Sequence, residues 1–248
     1  MTAALLSSPD VGSRSPAGAN LVIRERGMMD YLSAYAEMRA FTASRHARTP
    51  DEIWLLQHPP IYTVGLGGRA LVRGEPGIPV ERVDRGGQIT YHGPGQAVMY
   101  VLLDLDRRGM KVRSLVQMLE ESVIRLLAAH EVRAHRKPGA PGVYVADAKI
   151  AALGLRVRKG ASYHGVALNV DMDLTPFEAI DPCGYPGLQV IRTTDLDIDG
   201  DCTALGGELA RCFCALWAEP ERPAAPATFQ DALARADAAL AVRAMESS

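Results

Sequence analysis

Cysteine is scarce in this chain: four residues in 248, at Cys183, Cys202, Cys212 and Cys214. Their spacing fits no metal-binding pattern, so no metal and no other cofactor is expected. Cys212 and Cys214 lie two apart in a helical stretch, where i and i+2 point to different sides; they read as packing residues. Such sparing use of cysteine suits a cytoplasmic protein with reduced thiols. An excess of charge of either sign is missing too: 27 basic residues stand against 29 acidic ones, a net charge of −2. That argues against a general nucleic-acid binder and leaves local basic patches as the only option. Long apolar runs are absent as well. None exceeds seven residues, as in Ala97–Leu103, too few to cross a membrane. The stretch Met1–Asn20 is rich in Ala, Ser, Pro and Gly, and its apolar run is only Ala3–Leu6. It is too short for a signal peptide and is expected to be a disordered tail. No internal repeat is visible.

What is present is organised around Arg85-Gly86-Gly87-Gln88-Ile89-Thr90-Tyr91-His92-Gly93-Pro94-Gly95-Gln96. Its glycines allow positive φ and a close approach of backbone to a ligand. Gln88–Tyr91 has the β-branched and aromatic residues of a strand, and Ala97–Leu103 follows as a buried strand. A loop so poor in side chains, with one titratable ring, reads as a substrate cradle; the plain alternative is a glycine-rich hairpin with a surface histidine.

The rest of the chain supplies a core around it. Strands are expected at Leu21–Arg26, Ile53–Gln57, Ile61–Val64, Val80–Val83, Gly142–Ala146, Lys149–Val157 and Tyr163–Val170. The last two are joined by a hairpin-like loop, Arg158–Ala161. Tyr31, Tyr35, Met38 and Thr42 share a helical face, giving a helix over Asp30–Arg45 with Asp30 as N-cap. A 3.6-residue pattern from Ser114 to Leu126 predicts a helix over Val112–His130. Leu174–Ile180 reads as a short helix with Pro176 in its first turn. Leu205, Leu209, Cys212, Phe213 and Leu216 mark a last core helix. Short turns between strands, mixed with helices, point to an α/β (α+β) fold with a mixed sheet.

Three residues stand out for chemistry. Cys183 sits in a Pro-Cys-Gly loop, a poor place for a packing residue and a good one for function; a surface thiol of no consequence is the alternative. Lys149 opens an otherwise apolar strand, where a cation beside Cys183 would favour the thiolate, the attacking form; alone, it reads as a solvated lysine. His164 repeats, in Tyr163-His164-Gly165, the pattern of Tyr91-His92-Gly93, so two His-Gly pairs can line one pocket, and cysteine with histidine is a known nucleophile arrangement. Asp195–Gly200 begins like a calcium loop, but the position of its bidentate glutamate is Gly206. Gly86-Gly87-Gln88 matches a tripeptide of peptide-release factors, too short to be specific.

Taken together, five blocks in order resemble the lipoyl(octanoyl) transferases. They are His58-Pro59-Pro60-Ile61-Tyr62-Thr63-Val64-Gly65, Arg85–Gln96, Lys149–Gly154, His164–Val170 and Pro182-Cys183-Gly184. The resemblance spans about residues 20–217 and is loose only at Arg158–Ala161 and Gln189–Thr194. It implies the fold of biotin and lipoate protein ligase catalytic domains over 21–218, between the tail 1–20 and an extension 219–248. It implies an acyltransferase in which Cys183 carries the acyl group as a thioester and Lys149 lowers its pKa. Arg85, Gly86, Gly87, Gln88, Ile89, Thr90, Tyr91, His92, Ala152, Leu153, Gly154, His164, Gly165, Val166 and Ala167 would line the acyl site. Small residues at 86, 87, 93, 95, 154 and 165 leave space for an alkyl chain, and N–H groups near Gly165 or Gly184 would hold the oxyanion. The implied donor is octanoyl-acyl carrier protein. The implied acceptors are lipoyl domains of 2-oxoacid dehydrogenase complexes and the glycine cleavage H protein; no nucleic acid and no membrane is expected as partner. A basic rim of Arg133, Arg136, Lys137, Arg156, Arg158 and Lys159 would receive these acidic partners. The rival readings are an ATP-dependent lipoate or biotin ligase on the same fold, and a non-catalytic acyl-carrier-binding module.

Overall fold

The computed structural model describes residues 21–68, 72, 73, 77–181 and 187–219. The tail 1–20, nearly all of the extension 219–248, and Cys183 with Gly184 lie outside these residues. No described helix is long and apolar enough to cross a membrane.

Chain order is β1 (Leu21–Met28), α1 (Tyr31–Ser44), β2 (Asp51–Gln57), β3 (Ile61–Val64), β4 (Val80–Arg82), β5 (Ile89–His92), β6 (Gln96–Leu102), α2 (Leu105–Arg108), α3 (Val112–Ala129), β7 (His135–Lys137), β8 (Ala140–Val145), β9 (Ala148–Arg158), β10 (Ala161–Asn169) and α4 (Cys202–Ala218). Among the described residues, two 3-10 turns, Thr175–Ala179 and Thr193–Leu196, fall between β10 and α4. The expected elements are all there. β7, α2 and the second 3-10 turn are additions. β7 has three residues with no strand-forming pattern and exists by pairing with β8.

Seven strands form one mixed sheet in the order β1-β2-β6-β10-β9-β8-β7; β4, β3 and β5 form a second, smaller one. Only β1 and β2 run parallel in the large sheet; the other pairs are antiparallel. β6 lies between β2 and β10 with α3 and α4 on one face and α1 on the other, which is why its run is buried on both faces. One face carries α3 and α4: Leu115, Leu119, Val123, Leu205, Leu209 and Phe213 pack on Ile53, Met99, Val101, Val166 and Leu168. The other face carries α1, whose Ala34 and Met38 meet Trp54, Leu56, Val98, Tyr100 and Ala167. Asp30 caps α1, its carboxylate accepting from Ser33 N at 2.9 Å. The Arg158–Ala161 loop is a two-residue hairpin with Lys159 (φ 49°) and Gly160 (φ 72°) both left-handed, the geometry that matches strand twist. The calcium-like segment serves the fold instead: the Asp195 carboxylate accepts from Arg192 N and Nε, each at 3.1 Å, and caps the second 3-10 turn.

Candidate active site

Side chains alternate along a strand, and two irregularities break that alternation where it matters. On β9, Val143 pairs with Ala151 but Tyr144 pairs with Lys149, so Ile150 is an extra residue, a β-bulge. Ile150 and Ala151 then both enter the core beneath α3 and α4, and Lys149 is turned to the opposite face. Bulges next to functional sites re-aim side chains in this way. On β10, His164 is paired with Leu155, a residue of the helix-facing core. Strict alternation would send His164 there too. Its φ of 62° turns the ring over instead, against Tyr35 (5.5 Å between centroids), Tyr163 (5.0 Å) and Tyr100 (6.0 Å). The next residue has no room for a side chain: a Cβ on Gly165 would stand 2.0 Å from Met99 O. His164-Gly165 is thus one device, a strained residue and the glycine that permits it.

The face so built lines a cavity with Lys149, Ala152, Leu153, Gly154, His164, Gly165, Val166 and Ala167 from β9 and β10, and Arg85, Gly87, Gln88, Ile89, Thr90 and His92 from the glycine stretch. The histidines of both His-Gly pairs line this one cavity. Gly86, Tyr91, Gly93 and Gly95 are not among the lining residues. The Tyr91 ring packs against Tyr62 and Phe177 instead, at 5.5 Å from each. Gly95 serves the loop, its carbonyl accepting from Val170 N and Asp171 N. The wall also includes Tyr31, Val98, Tyr100, Asn169, Phe177 and Val190, none of which stood out in the sequence. Except for Asn169, the polar end of the His164–Val170 block, they are apolar or aromatic core residues by local pattern, and the crossing of α1, β6 and the 3-10 turns brings them here.

Lys149 is not a solvated lysine: it is 3% exposed. Its Nζ donates to Pro141 O at 3.1 Å and lies 5.2 Å from the Tyr144 ring centroid. Gly142, at φ 137°, leaves the space this side chain needs, since a Cβ there would be 3.0 Å from Lys149 Cε. The main chain of Lys149 is tied to residues 189–191: its N–H donates to Gln189 O at 2.8 Å, and Ile191 N–H donates to Lys149 O at 3.0 Å. The other flank of the Cys183 segment is also anchored. Arg73 Nη1 donates to Asp181 at 2.7 Å and Nη2 to Glu178 O and Ile180 O at 2.8 and 2.9 Å.

A hydrogen-bond chain runs from the cavity to the same place. Asn169 Nδ2 donates to Ile191 O at 3.0 Å, so its Oδ1 accepts from Gln96 Nε2, also at 3.0 Å. Gln96 Oε1 then faces His92 Nδ1 at 2.7 Å, which must carry the proton. Burial lowers the His92 imidazole to about 3 and that of His58, bonded to Tyr100 and Met29 O, to about 4; both rings are neutral at physiological pH. His164, with Tyr163 and Tyr35, holds the Asp84 carboxyl well below the usual carboxylate range. Burial pushes the Cys202 thiol up to about 12 and raises Cys212 as well, which leaves those two as poor nucleophiles.

Two sequence expectations fall in part: Gly165 and the Arg158–Lys159 pair lie far from Lys149, while Gly184 and Cys183 lie outside the described residues. Gly165 is laddered to Tyr100 and Gly154, and Gly154 is five residues along β9 from Lys149, roughly 17 Å at about 3.4 Å per residue. It is too far from Lys149 for its N–H to serve an oxyanion formed there. Arg158 and Lys159, at the far end of β9, are about 30 Å from Lys149 by the same measure and cannot rim its surroundings. Arg136 and Lys137 lie on β7 but are engaged, with Glu120, Glu121 and Asp147.

Residues 30–187 match the family described as lipoyl protein ligase A/B catalytic domain. An octanoyltransferase of Azoarcus sp. (strain BH72) is 55% identical over 84% of this chain and 93% of its own. One of Dechloromonas aromatica (strain RCB) is 56% identical over 77% and 93%. Among solved structures, lipoate-protein ligase A bound with ATP superposes with a TM-score of 0.65 at 19% identity, covering 83% of this chain and 88% of that one. A bi-partite lipoate protein ligase from Thermoplasma acidophilum gives 0.63 at 19%, covering 80% and 83%. At that identity the two structures speak for the fold alone. The chain belongs to the lipoyl protein ligase A/B catalytic family, within its octanoyltransferase branch.

Proposed function

We propose that this acyltransferase moves an octanoyl group from acyl carrier protein to a lysine of lipoyl domains through a thioester on Cys183, with residues 21–218 as the catalytic unit. One observation carries the reading: Lys149, a buried cation on the cavity wall, is hydrogen-bonded through its main chain to Gln189, six residues beyond Cys183. A thiolate held near that ammonium is stabilised by its charge.

In the first half-reaction the Cys183 thiolate attacks the donor's thioester carbonyl. The new C–S bond forms, the bond to the phosphopantetheine sulfur breaks, and that sulfur leaves as a thiolate that takes up a proton. In the second, the acceptor lysine attacks as a free amine, C–N forms, C–S breaks, and Cys183 is released as thiolate. The departing pantetheine thiolate takes its proton from the Lys149 ammonium in the first half-reaction, and the proton lost by the amine returns to the now neutral Lys149 in the second. The acyl chain lies along Ala152, Gly154, Val98 and Ala167, small or apolar residues of the cavity. The acceptors are lipoyl domains of 2-oxoacid dehydrogenase complexes and the glycine cleavage H protein. Arg73, 58% exposed and paired with Asp181, and Arg192, 35% exposed and paired with Asp171 and Asp195, flank the Cys183 segment and would meet an acidic partner through their exposed faces.

The test is single-turnover transfer from octanoyl-acyl carrier protein, without ATP, to a purified lipoyl domain. Transfer that proceeds and stops on Cys183→Ser supports the reading; transfer that requires ATP overturns it.

A further inference from the structure

A charge taken into a protein interior needs partners that replace its water. Glu120 is such a charge: it is 6% exposed on α3, and the transfer scheme makes no use of it. Its Oε2 accepts from Arg136 Nε at 3.1 Å, and its Oε1 accepts from Gly142 N–H, also at 3.1 Å. Arg136 is held in turn by Gln117 O at 3.1 Å and by Glu121 Oε2 at 2.6 Å.

The Gly142 N–H belongs to the same peptide group as Pro141 O, the atom that accepts from Lys149 Nζ. The N–H and C=O of a trans peptide point in opposite directions. One peptide therefore joins the α3 carboxylate on one side to the Lys149 ammonium on the other. The local backbone is shaped for this. β8 pairs with β7 at Ala140 and Tyr144, and with β9 from Val143 onward. The 141–142 peptide falls between these pairings, and its two polar groups go to Glu120 and Lys149 instead. Gly142 has a φ of 137°, a value that favours glycine, and a Cβ there would stand 2.8 Å from Ala151 O and 3.0 Å from Lys149 Cε.

Hydrogen bonds in series polarise one another in a low-dielectric interior. A carboxylate on the N–H end makes Pro141 O a stronger acceptor for the ammonium. It also anchors the peptide to which the end of a flexible four-carbon stem is tied. Arg136 offsets the charge of Glu120 at longer range, so the effect is concentrated on the shared peptide.

We propose that Glu120 is a positioning residue for Lys149: acting through the Pro141–Gly142 peptide, its carboxylate aims and holds the ammonium that stabilises the Cys183 thiolate. The inference rests on the acyl-transfer reading of the same site.

The experiment is a double-mutant cycle, read as the rate at which iodoacetamide alkylates Cys183 near neutral pH, with the Cys183 peptide followed by mass spectrometry. Glu120→Met keeps the volume and removes the acceptor. It is expected to slow alkylation by about tenfold, the worth of a hydrogen bond to a charged group. Glu120→Gln, whose carboxamide oxygen can still accept from Gly142 N–H, should recover part of that loss. In the Lys149→Met background, adding Glu120→Met should change the rate by less than about twofold, because the ammonium it positions is gone. Equal slowing in both backgrounds overturns the inference, since Glu120 then acts on the fold and not through Lys149. A parent-like rate in Glu120→Met overturns it too. If Glu120→Met does not fold, Glu120→Gln in the same two backgrounds decides by the same comparison. A parent-like rate in Lys149→Met overturns thiol activation by Lys149 instead, so the two failures are separate.

Discussion

Lys149 and Val190 are joined as a parallel bridge, with hydrogen bonds from Lys149 N–H to Gln189 O and from Ile191 N–H to Lys149 O. The residue that supplies positive charge is therefore fixed, through main chain, to the segment that follows Cys183. Side-chain reach and loop position are coupled at one point of the fold.

Removing the lysine side chain tests that coupling. Lys149→Ala leaves Pro141 O without its donor and opens a void beside Tyr144. A cost of about 2 kcal/mol is expected from the lost bond and packing; Lys149→Met keeps most of the volume and should cost less. In both variants the alkylation rate of Cys183 should rise only at higher pH than in the parent. An unchanged alkylation profile in the methionine variant removes Lys149 from thiol activation.

Gly165→Ala is expected to destabilise by several kcal/mol, because its Cβ would overlap Met99 O and neither backbone can retreat from a central strand pair. Chemical denaturation reports the loss. A midpoint close to that of the parent would show that the His164-Gly165 geometry is not required.

Acid stability follows from the buried imidazoles. His58 and His92 titrate at about 4 and about 3 in the folded protein, against about 6.5 in the unfolded chain. The folded state binds fewer protons, so their contribution is fully present above pH ~6.5 and falls away as pH drops toward those folded values. The Asp84 carboxyl, held low, loses its own contribution further down. The thermal midpoint should be flat from pH 8 to 7 and fall steadily below about 6. A midpoint that rises on acidification from 7 to 5 would contradict neutral, buried rings.

Charge reversal separates the two possible rims. Glutamate at Arg158 and Lys159 together should leave KM for the carrier protein within about twofold, since these residues lie about 30 Å from Lys149. Glutamate at Arg192 should raise it, more at low salt than at high salt. The opposite pattern would place docking at the hairpin tip.

Much of this was legible in the residues. The buried run Ala97–Leu103, the Asp30 cap and the α3 periodicity each follow one local rule, and each forms as expected. The Lys149 and His164 blocks pointed to a site through the family resemblance; taken alone, Lys149 read as a solvated lysine. The burial of Lys149 and the turn of His164 toward the cavity were not legible, because each depends on a break in strand alternation. A bulge at Ile150 is a matter of register with β8, and a left-handed histidine is a matter of what packs above it. Tyr31 and Tyr100 gave no signal for the same reason: only the crossing of α1 over β6 makes them a wall.

The central claim, a thioester on Cys183, is tested most directly by intact-mass and peptide mass spectrometry after incubation with octanoyl-acyl carrier protein. The account predicts one octanoyl adduct, on the peptide bearing Cys183, labile to hydroxylamine and absent from Cys183→Ser. Cys202 and Cys212, with thiol pKa values raised by burial, should remain unmodified. An adduct on either of them or on Cys214, or transfer to a lipoyl domain by Cys183→Ser at the parent rate, would contradict it.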